Sequence, residues 1–423
     1  MATLSPYEPR RDMRILKVWD YEYPWDVRTE KVCQALTSMG HDVHLLARNR
    51  RRESLTESLP EATVHRLRPW DFFGARLDAA SQFPAFVNPR WIFHAHRVGR
   101  RQNVELVLVR DITLAPVAIT VARRLGVPVL LDMAEHYAAM MQDLWDTGSV
   151  RFGDTIVRNP KAVAAVERWT LAHVDHTLVV VEESKERLVR SGVDPEDVTV
   201  VSNTPSLARV DEYAAIAAAE SASSTADRSV RDPIRLVYLG VMEEARGVGL
   251  VLEAIAEVRA RGVPVTLDLI GEGRSLGSFT ERARALGMTD DVVRTHGFVE
   301  YSKALRIVAR MDAGLIPHHA SEGWQNTIPN KLFDYMSLAV PVIASDVRPV
   351  QRVLTDTEAG VTFRDRDPSD LARVIQSMYM DPHRVEMGER GVSAIRERYN
   401  WDRDAAVLKG VVDNLAQRGR PHT

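Results

Sequence analysis

Short apolar runs alternate with amphipathic stretches along most of the chain. Strand-like runs at residues 14–19 and Asp42–Ala47 flank residues 27–39, where apolar side chains recur on one helical face. Gly40 follows this predicted helix, at a position where glycine commonly ends helices. Strand, helix and strand in this order predict a parallel βαβ unit.

The alternation covers two series separated by a segment of different composition. Residues 206–232 are rich in Ala, Ser and acidic side chains and lack a clear core face, which is typical of a linker. The second series begins at Ile234–Leu239. Further strands of the first series are predicted at 104–109, 128–132, 177–181 and 198–202. Two such halves predict two doubly wound parallel-sheet domains, which bind ligands at the carboxyl ends of their strands and between domains.

Composition narrows the class of protein. A chain of 423 residues is expected to form two or three domains. The formal charge of −3, from 55 basic and 58 acidic residues, does not indicate a nucleic-acid binder. Cys33 is the single cysteine, so an internal disulfide and a cysteine-based zinc site are excluded, and a reducing compartment is the simplest interpretation.

Targeting signals are not evident. Residues 1–12 are polar, carry Pro6 and Pro9, and lack the apolar core of a signal peptide. No run approaches the roughly 18 apolar residues of a membrane span. We therefore expect a cytoplasmic protein, and attachment to a membrane surface stays open.

Candidate chemistry is concentrated in residues 322–346, where a polar loop leads into a predicted helix. Lys331 lies near the first turn, which is unfavourable for the helix dipole unless an anion sits on the exposed N–H groups. Asp334 lies three residues later, on the same face. An ordinary surface salt bridge between the two is an equally compatible interpretation.

This segment resembles the nucleotide-sugar motif of the retaining glycosyltransferases of family 4. That motif has two glutamates with seven residues between them, followed by a helix and a Pro-Val-Ile-Ala strand, which is present here at 341–344. Asp334 takes the second position, which implies ribose binding, and the uncharged Asn326 takes the first, which implies contact with the donor sugar. Glu322 is the nearest acidic substitute, and 329–331 resembles a Pro-Asn-Lys subgroup.

Residues 238–248 resemble the first loop of the family's C-terminal domain. Val241 stands where the family has an arginine, whereas Arg246 matches the second cation of that loop. The resemblance implies that Arg246 and Lys331 hold the donor diphosphate and offset its charge without a metal. On its own, Arg246 would be interpreted as a solvated loop arginine.

A third match is the segment 297–299, where the family holds the nucleotide base mainly through backbone groups. It places Phe298 at the base, although a single aromatic residue is more commonly part of a core. The segment does not identify the base, and uridine is expected only because it is common among members of this family.

In the N-terminal half, residues 131–137 resemble an Asp-x-His-Glu-x-Tyr segment of the family. Glu135 and Tyr137 match, Ala134 takes the histidine position, and His136 lies two residues later. Because the segment follows a strand, these side chains are expected at the acceptor side, where a polar group could orient or deprotonate a hydroxyl. His136 fits a solvated loop histidine equally well, and the family's front-face mechanism needs no protein base.

Arg28, at a predicted helix start, is another candidate on the acceptor side. A cation there is reasonable near an anion, and a salt bridge with Asp26 or Glu30 is the alternative.

Residues 90–101 interleave arginines with aromatic side chains. Such a segment fits an anionic lipid surface, which would let the domain meet a lipid-linked acceptor. A solvated helix packed by Trp91 and Phe93 is equally compatible.

The resemblance covers nearly the whole chain after residue 12 and implies the α/β GT-B fold, with two Rossmann-like doubly wound domains facing a central cleft. We expect an acceptor-side domain at 1–205, a linker at 206–232, a nucleotide-sugar domain at 233–395, and a helix at 396–423 that returns to the first domain.

The implied activity is retaining transfer of a sugar from a nucleoside-diphosphate sugar to a glycan, lipid-linked or small-molecule acceptor, without a metal or cofactor. A nucleotide-sugar epimerase or hydrolase of the same fold, and a non-catalytic binding module, are the alternatives. The expected site residues are catalytic Glu135, His136 and Asn326; donor-binding Arg246, Phe298, Glu322, Thr327, Ile328, Asn330, Lys331 and Asp334; and acceptor-side Arg28 and Tyr137.

Overall fold

The computed structural model describes residues 12–24, 26–70, 74–83, 86–146, 159–223 and 232–418. The chain divides into two compact units. One contains the chain up to Val201 and again from Ala405, and the other is Ser202–Asp404.

The first unit is a mainly parallel sheet flanked by helices. Its elements are β1 Arg14–Val18, α1 Val27–Ser38, β2 Asp42–Ala47, β3 Thr56–Ser58, β4 Thr63–Arg66, α2 Gly74–Ser81, α3 Pro89–Arg101, β5 Leu106–Arg110, α4 Ala115–Leu125, β6 Val129–Met133, α5 Tyr137–Asp146, α6 Pro160–Leu171, β7 His176–Val179, α7 Glu182–Arg190 and β8 Val198–Val200. The strand order is β3-β4-β2-β1-β5-β6-β7-β8, and only the β3–β4 pair is antiparallel among the paired strands described.

The core of this unit forms where the apolar faces of α3 and α4 cover the sheet. Leu16, Val107 and Leu131 from three neighbouring strands are fully buried, and Trp91 and Ile119 pack on them from the two helices. Strands buried on both faces read as continuous apolar runs, which is why the sequence pattern located them.

The second unit contains a six-stranded, wholly parallel sheet. Its elements are α8 Leu207–Ser223, β9 Ile234–Leu239, α9 Val248–Ala260, β10 Val265–Ile270, α10 Leu276–Ala285, β11 Val293–Gly297, α11 Tyr301–Val308, β12 Ala313–Ile316, α12 Asn330–Ser337, β13 Val342–Ser345, α13 Arg348–Thr357, β14 Gly360–Phe363, α14 Pro368–Met380 and α15 Arg384–Glu397. Helix α16, Trp401–Arg418, begins in this unit and continues into the first.

The strand order of the second sheet is β11-β10-β9-β12-β13-β14, so the order reverses between β9 and β12. These two strands pair in parallel through Leu236 and Ala313, and their carboxyl ends therefore meet at the same edge. In doubly wound sheets such a reversal opens a crevice for a ligand.

The segment predicted as a linker contains a helix. Helix α8 occupies most of its first two thirds and belongs to the second unit, where it packs on α11, α12 and α15. Val210 and Tyr213 are buried side chains near its N-terminal end. The run of alanines conceals this short stripe, so the sequence pattern does not reveal that the helix is anchored.

Strands β3, β4 and β14 and several helices were not predicted. Strand β3 is exposed along its whole length, because it lies at the sheet edge and pairs only with β4 in the described structure. An exposed three-residue strand carries no apolar alternation for a sequence pattern to detect. Among the described helices, none is both long and apolar enough to cross a membrane.

Candidate functional site

The loops after β9 and β12 pack against each other at the edge where the strand order reverses. Gly247 has φ +75°, and a Cβ there would lie 1.8 Å from the carbonyl oxygen of Pro317. Glycine is therefore required for the two loops to approach. This contact brings the predicted phosphate ligand Arg246 next to the segment that follows β12.

Lys331, in the first turn of α12, extends to the end of β9. Its ammonium lies 4.0 Å from the centre of the Tyr238 ring, and a Cβ on Gly240 would lie 2.7 Å from its Nζ. Val241, at the position of the family's missing arginine, follows directly and is exposed. Lys331 thus places a basic side chain of α12 beside the loop after β9, in which Val241 stands at the position of the family's arginine.

Lys331 has no carboxylate partner within ion-pair distance among the described residues, so the salt bridge considered with Asp334 does not form. Burial lowers the pKa of Lys331 well below its usual range, and the charge of Arg246 adds to this lowering. An unpaired, desolvated cation beside another cation gains free energy when an anion binds.

Arg246 ends the short 3-10 turn Glu244–Arg246 and is the second cation of this edge. Its guanidinium stacks over the indole of Trp324, 4.6 Å from the ring centre. As with Lys331, no ion pair involves Arg246 in the part of the chain that the structure describes. The charge of Arg246 acts on Lys331, so two cationic side chains lie near each other at this edge.

His318 is a residue of this edge that the sequence did not indicate. It lies two residues after β12, is 1% exposed, and its ring centre is 4.1 Å from that of Trp324. Within the described residues, neither ring nitrogen has a hydrogen-bond partner. Burial lowers the pKa of His318 well below its usual range, as do the nearby charges of Lys331 and Arg246, so the imidazole is neutral.

Asp334, predicted to bind ribose, is held by residues of α8 and α11. Tyr213 donates a hydrogen bond of 3.2 Å to its Oδ1, and the hydroxyls of Tyr213 and Tyr301 are 2.9 Å apart. Arg209 donates to the Tyr213 hydroxyl at 2.9 Å. Burial raises the pKa of Asp334. Two of the three supporting residues thus come from the segment predicted as a linker.

Asn326 and Glu322, the two candidates for the first acidic position, lie together. The Nδ2 of Asn326 donates to the backbone oxygen of Glu322 at 2.8 Å and to its Oε1 at 3.1 Å. Asn326 is buried and Glu322 is exposed. A carboxylate therefore lies beside the amide that replaces the family's acid.

The remaining donor candidates differ in exposure. Thr327 and Ile328 are buried, whereas Asn330 is exposed and its Oδ1 accepts a hydrogen bond of 3.0 Å from Asn203. Phe298 is 78% exposed, so the alternative interpretation of a core residue is wrong. An exposed aromatic ring after Gly297, which has φ +63°, remains available to a base.

In the first unit, Arg28 is a buried ion-pair residue. Its Nε and a terminal nitrogen donate to Oδ1 of Asp132 at 2.9 and 2.6 Å, while the fully buried Lys17 lies 3.7 Å from Oδ2. Burial alone would raise the pKa of Asp132, but Arg28 and Lys17 hold it at about 2. Asp26, an expected partner of Arg28, instead caps α1 and pairs with Arg110. With 1% exposure, Arg28 serves this internal network, which contradicts the expected contact with an acceptor.

The predicted acceptor residues follow β6. Glu135 is exposed and His136 is partly buried, and Tyr137 begins α5. Tyr137 packs against a small apolar cluster with Ile112 and Met141. The roles assigned to Glu135, His136 and Tyr137 remain predictions. Within the described ranges, no group of three or more His, Cys, Asp or Glu side chains is placed to hold a metal ion.

Two protein-family models match the chain. The model described as "Glycosyl transferase 4-like domain" matches residues 26–204, and "Glycosyl transferases group 1" matches residues 233–381. Together they cover most of both units, and the second includes Arg246, Lys331 and Asp334.

Curated relatives point the same way. The chain is 24% identical to glycogen synthase of Mycobacterium tuberculosis over 435 residues, which cover 96% of each chain. It is 27% identical to phosphatidyl-myo-inositol mannosyltransferase of Mycobacterium leprae over 192 residues, which cover 44% of this chain and 47% of the relative.

Solved structures share the fold. Sucrose-phosphate synthase from Thermosynechococcus elongatus superposes with a TM-score of 0.73 at 16% identity, covering 96% of this chain and 100% of that one. Anabaena Alr3699/HepE in complex with UDP-glucose gives a TM-score of 0.67 at 11% identity, covering 95% and 100%.

Proposed function

The chain belongs to the family 4 glycosyltransferases with the GT-B fold, and we propose that it transfers a sugar from a nucleoside-diphosphate sugar to an acceptor hydroxyl with retention of anomeric configuration. The observation that carries this proposal is the pair of cations without carboxylate partners in the described structure, Arg246 and Lys331, at the switch point of the second sheet. Their charge suits a diphosphate, whose leaving oxygen gains negative charge as the glycosidic bond breaks.

In the proposed reaction, the bond between the anomeric carbon and the β-phosphate oxygen breaks while the acceptor oxygen bonds to the same face of that carbon. The acceptor proton passes to the departing phosphate. Lys331, Arg246 and the N–H groups at the start of α12 stabilise the phosphate charge. Because these groups supply the positive charge, we propose that no metal is required.

Asp334 is proposed to bind the ribose hydroxyls through the carboxylate that Tyr213 orients. UDP is the proposed nucleotide, on family habit and on the occurrence of UDP and UDP-glucose in complexes of the structurally similar HepE. Phe298 is proposed to lie at the base, and Glu322, Asn326 and residues 327–330 at the donor sugar.

On the acceptor side, Glu135, His136 and Tyr137 are proposed to orient a hydroxyl of a glycan, a lipid-linked sugar or a small molecule. Relatives that include glycogen synthase support a role in polysaccharide or glycoconjugate synthesis. Cytoplasmic location is proposed because a lone free cysteine suits a reducing compartment.

A basic surface on the first unit supports peripheral contact with an anionic membrane. Phe93 is 59% exposed on α3, which contradicts its predicted packing role, whereas Trp91 is buried. A Cβ on Gly99 would lie 2.6 Å from Leu125, so the C-terminal ends of α3 and α4 meet. The exposed arginines there, which lack an ion pair among the described residues, are Arg97, Arg100, Arg101, Arg123 and Arg124.

Sedimentation with liposomes tests this contact. Vesicles with anionic lipid should pellet the protein at physiological salt, and neutral vesicles should not. The double variant Arg100→Glu and Arg101→Glu should stay in the supernatant. Equal pelleting with both vesicle types would refute the proposal.

Turnover measurements separate the proposed reaction from its alternatives. A transferase consumes donor when a sugar acceptor is added, and proton NMR of the new glycoside should show the donor's anomeric configuration. An epimerase or hydrolase would consume donor without acceptor, and a binding module would release no nucleotide with any acceptor.

A further inference from the structure

His318 is held in a fixed place, and neither of its ring nitrogens has a hydrogen-bond partner among the described residues. Its backbone oxygen accepts a hydrogen bond from the buried hydroxyl of Ser345, the last residue of β13. Its preceding residue, Pro317, is packed against Gly247. The backbone is thus fixed from two neighbouring elements, and the imidazole is directed by the fold and not by a hydrogen bond of its own.

Burying both ring nitrogens without partners is costly. A buried polar atom that lacks a hydrogen bond loses its interaction with water and gains nothing in return. A leucine or phenylalanine would fill the same volume beside Trp324 without this loss. A bound ligand that forms hydrogen bonds with the imidazole nitrogens would remove this free-energy cost.

The surroundings indicate which ligand group this is. Arg246 and Lys331 already offer cationic donors to phosphate oxygens, so the diphosphate does not need a third group. A neutral imidazole has one N–H donor and one acceptor nitrogen. A phosphate oxygen can use only the donor, whereas a sugar hydroxyl can donate to the acceptor nitrogen as well.

Trp324 connects His318 to the phosphate site. Its indole contacts both the imidazole and the guanidinium of Arg246, with the ring centre 4.1 Å from the first and 4.6 Å from the second. An Arg246 that turns to a bound diphosphate leaves this stack, and the indole is then free to uncover the imidazole. The movement of Arg246 and the uncovering of His318 would both take place beside the bond between the diphosphate and the sugar.

We infer that His318 is a donor-specificity residue, whose imidazole binds a hydroxyl of the donor sugar when Trp324 moves away from it. The inference rests on the proposed donor site formed by Arg246 and Lys331. According to this inference His318 contacts the sugar of the donor and not its nucleotide. Its removal should therefore affect binding of the sugar conjugate and not of the nucleotide alone.

The test compares a nucleotide with its sugar conjugate on matched variants. His318→Phe keeps an aromatic ring against Trp324 and removes both nitrogens, while His318→Asn restores a donor and an acceptor. Affinities for UDP and UDP-glucose are measured by calorimetry. If the wild type selects guanosine, adenosine or thymidine, the pair used instead is GDP with GDP-mannose, ADP with ADP-glucose, or dTDP with dTDP-glucose. Thermal unfolding checks that each variant folds.

We expect His318→Phe to bind the nucleoside diphosphate within about twofold of wild type and the sugar conjugate about tenfold more weakly. His318→Asn should recover part of the loss. His318→Phe should also unfold at an equal or higher temperature, because it removes unsatisfied buried atoms.

Equal affinity of wild type and His318→Phe for the sugar conjugate would overturn the inference, as would equal weakening of both ligands. A wild-type protein that binds no member of any of these pairs would instead refute the proposed donor site, so the two failures are distinguishable.

Discussion

The ammonium of Lys331 lies 4.0 Å from the centre of the Tyr238 ring, so a residue of α12 places its charge at the end of β9. Family 4 enzymes usually have an arginine directly after the glycine of this loop, and here Val241 takes that place. The Lys331 ammonium lies beside Gly240, the residue before Val241, so α12 places a basic side chain next to the loop in which valine replaces the arginine.

The affinity for nucleoside diphosphate should fall as the pH rises. Burial and Arg246 lower the pKa of free Lys331, and a bound diphosphate raises it again, so binding takes up a proton between these two values. Calorimetry in buffers of different ionisation enthalpy between about pH 6.5 and 9 measures this uptake.

Lys331→Arg provides the control for that measurement, because arginine stays protonated throughout this range. The variant should bind with a smaller proton uptake and a flatter pH profile. An identical uptake in wild type and variant would show that another group titrates.

Gly240→Ala should weaken diphosphate binding and reduce stability. The residue has φ +144°, and the added Cβ would lie 2.7 Å from the Lys331 ammonium. We expect a loss of about 1–3 kcal/mol in the free energy of unfolding, measured by urea denaturation. Gly410→Ala is the matched control.

Gly410 lies in α16, and an added Cβ there would meet nothing within 4 Å, so alanine should be neutral or stabilise by about 0.5–1 kcal/mol. Similar destabilisation in both variants would contradict a special role for Gly240.

Asp334→Asn should weaken nucleotide binding only when ribose hydroxyls are present. A carboxylate accepts charge-assisted hydrogen bonds that an amide cannot match, and the difference is about 1.5 kcal/mol or roughly tenfold in affinity. Titration with UDP and with 2′,3′-dideoxy-UDP separates the two cases. Equal weakening for both nucleotides would place the ribose elsewhere.

Asp132→Asn should destabilise the first unit strongly. The change leaves Arg28 and Lys17 buried without their counter-ion, and breaking a buried ion pair costs about 3–5 kcal/mol. Denaturant unfolding followed by circular dichroism measures the effect.

Asp211→Asn is the control, because this pair with Arg396 is exposed on both sides and should change stability by less than about 1 kcal/mol. A cost below that value for Asp132→Asn would contradict the structural role of the buried network.

Sequence alone predicted the two parallel sheets because their buried strands are short apolar runs, such as Ile234–Leu239, which has the predicted bounds. The family resemblance singled out Arg246, Lys331 and Asp334, and their roles in donor binding remain predictions. What it could not provide was the three-dimensional partners of these residues.

Sequence analysis missed two features, helix α8 and the importance of His318, and each omission has a physical reason. Helix α8 resembles a linker in the sequence because its alanines mask the few positions, such as Tyr213, that hold it in place. His318 escapes sequence analysis because a histidine after a strand has no pattern of its own, and its importance appears only when its burial and its unsatisfied nitrogens are known.

The most direct measurement is calorimetric titration of UDP, GDP, dTDP, ADP and CMP, without added metal, into wild type, Arg246→Ala and Lys331→Ala, with Lys161→Ala on the exposed face of α6 as a control. We predict saturable binding of one diphosphate by wild type and by the control. Each of the other two variants should bind it about tenfold or more weakly, because each loses a charge-assisted contact. Unchanged affinity in both would contradict the placement of the diphosphate between these two residues.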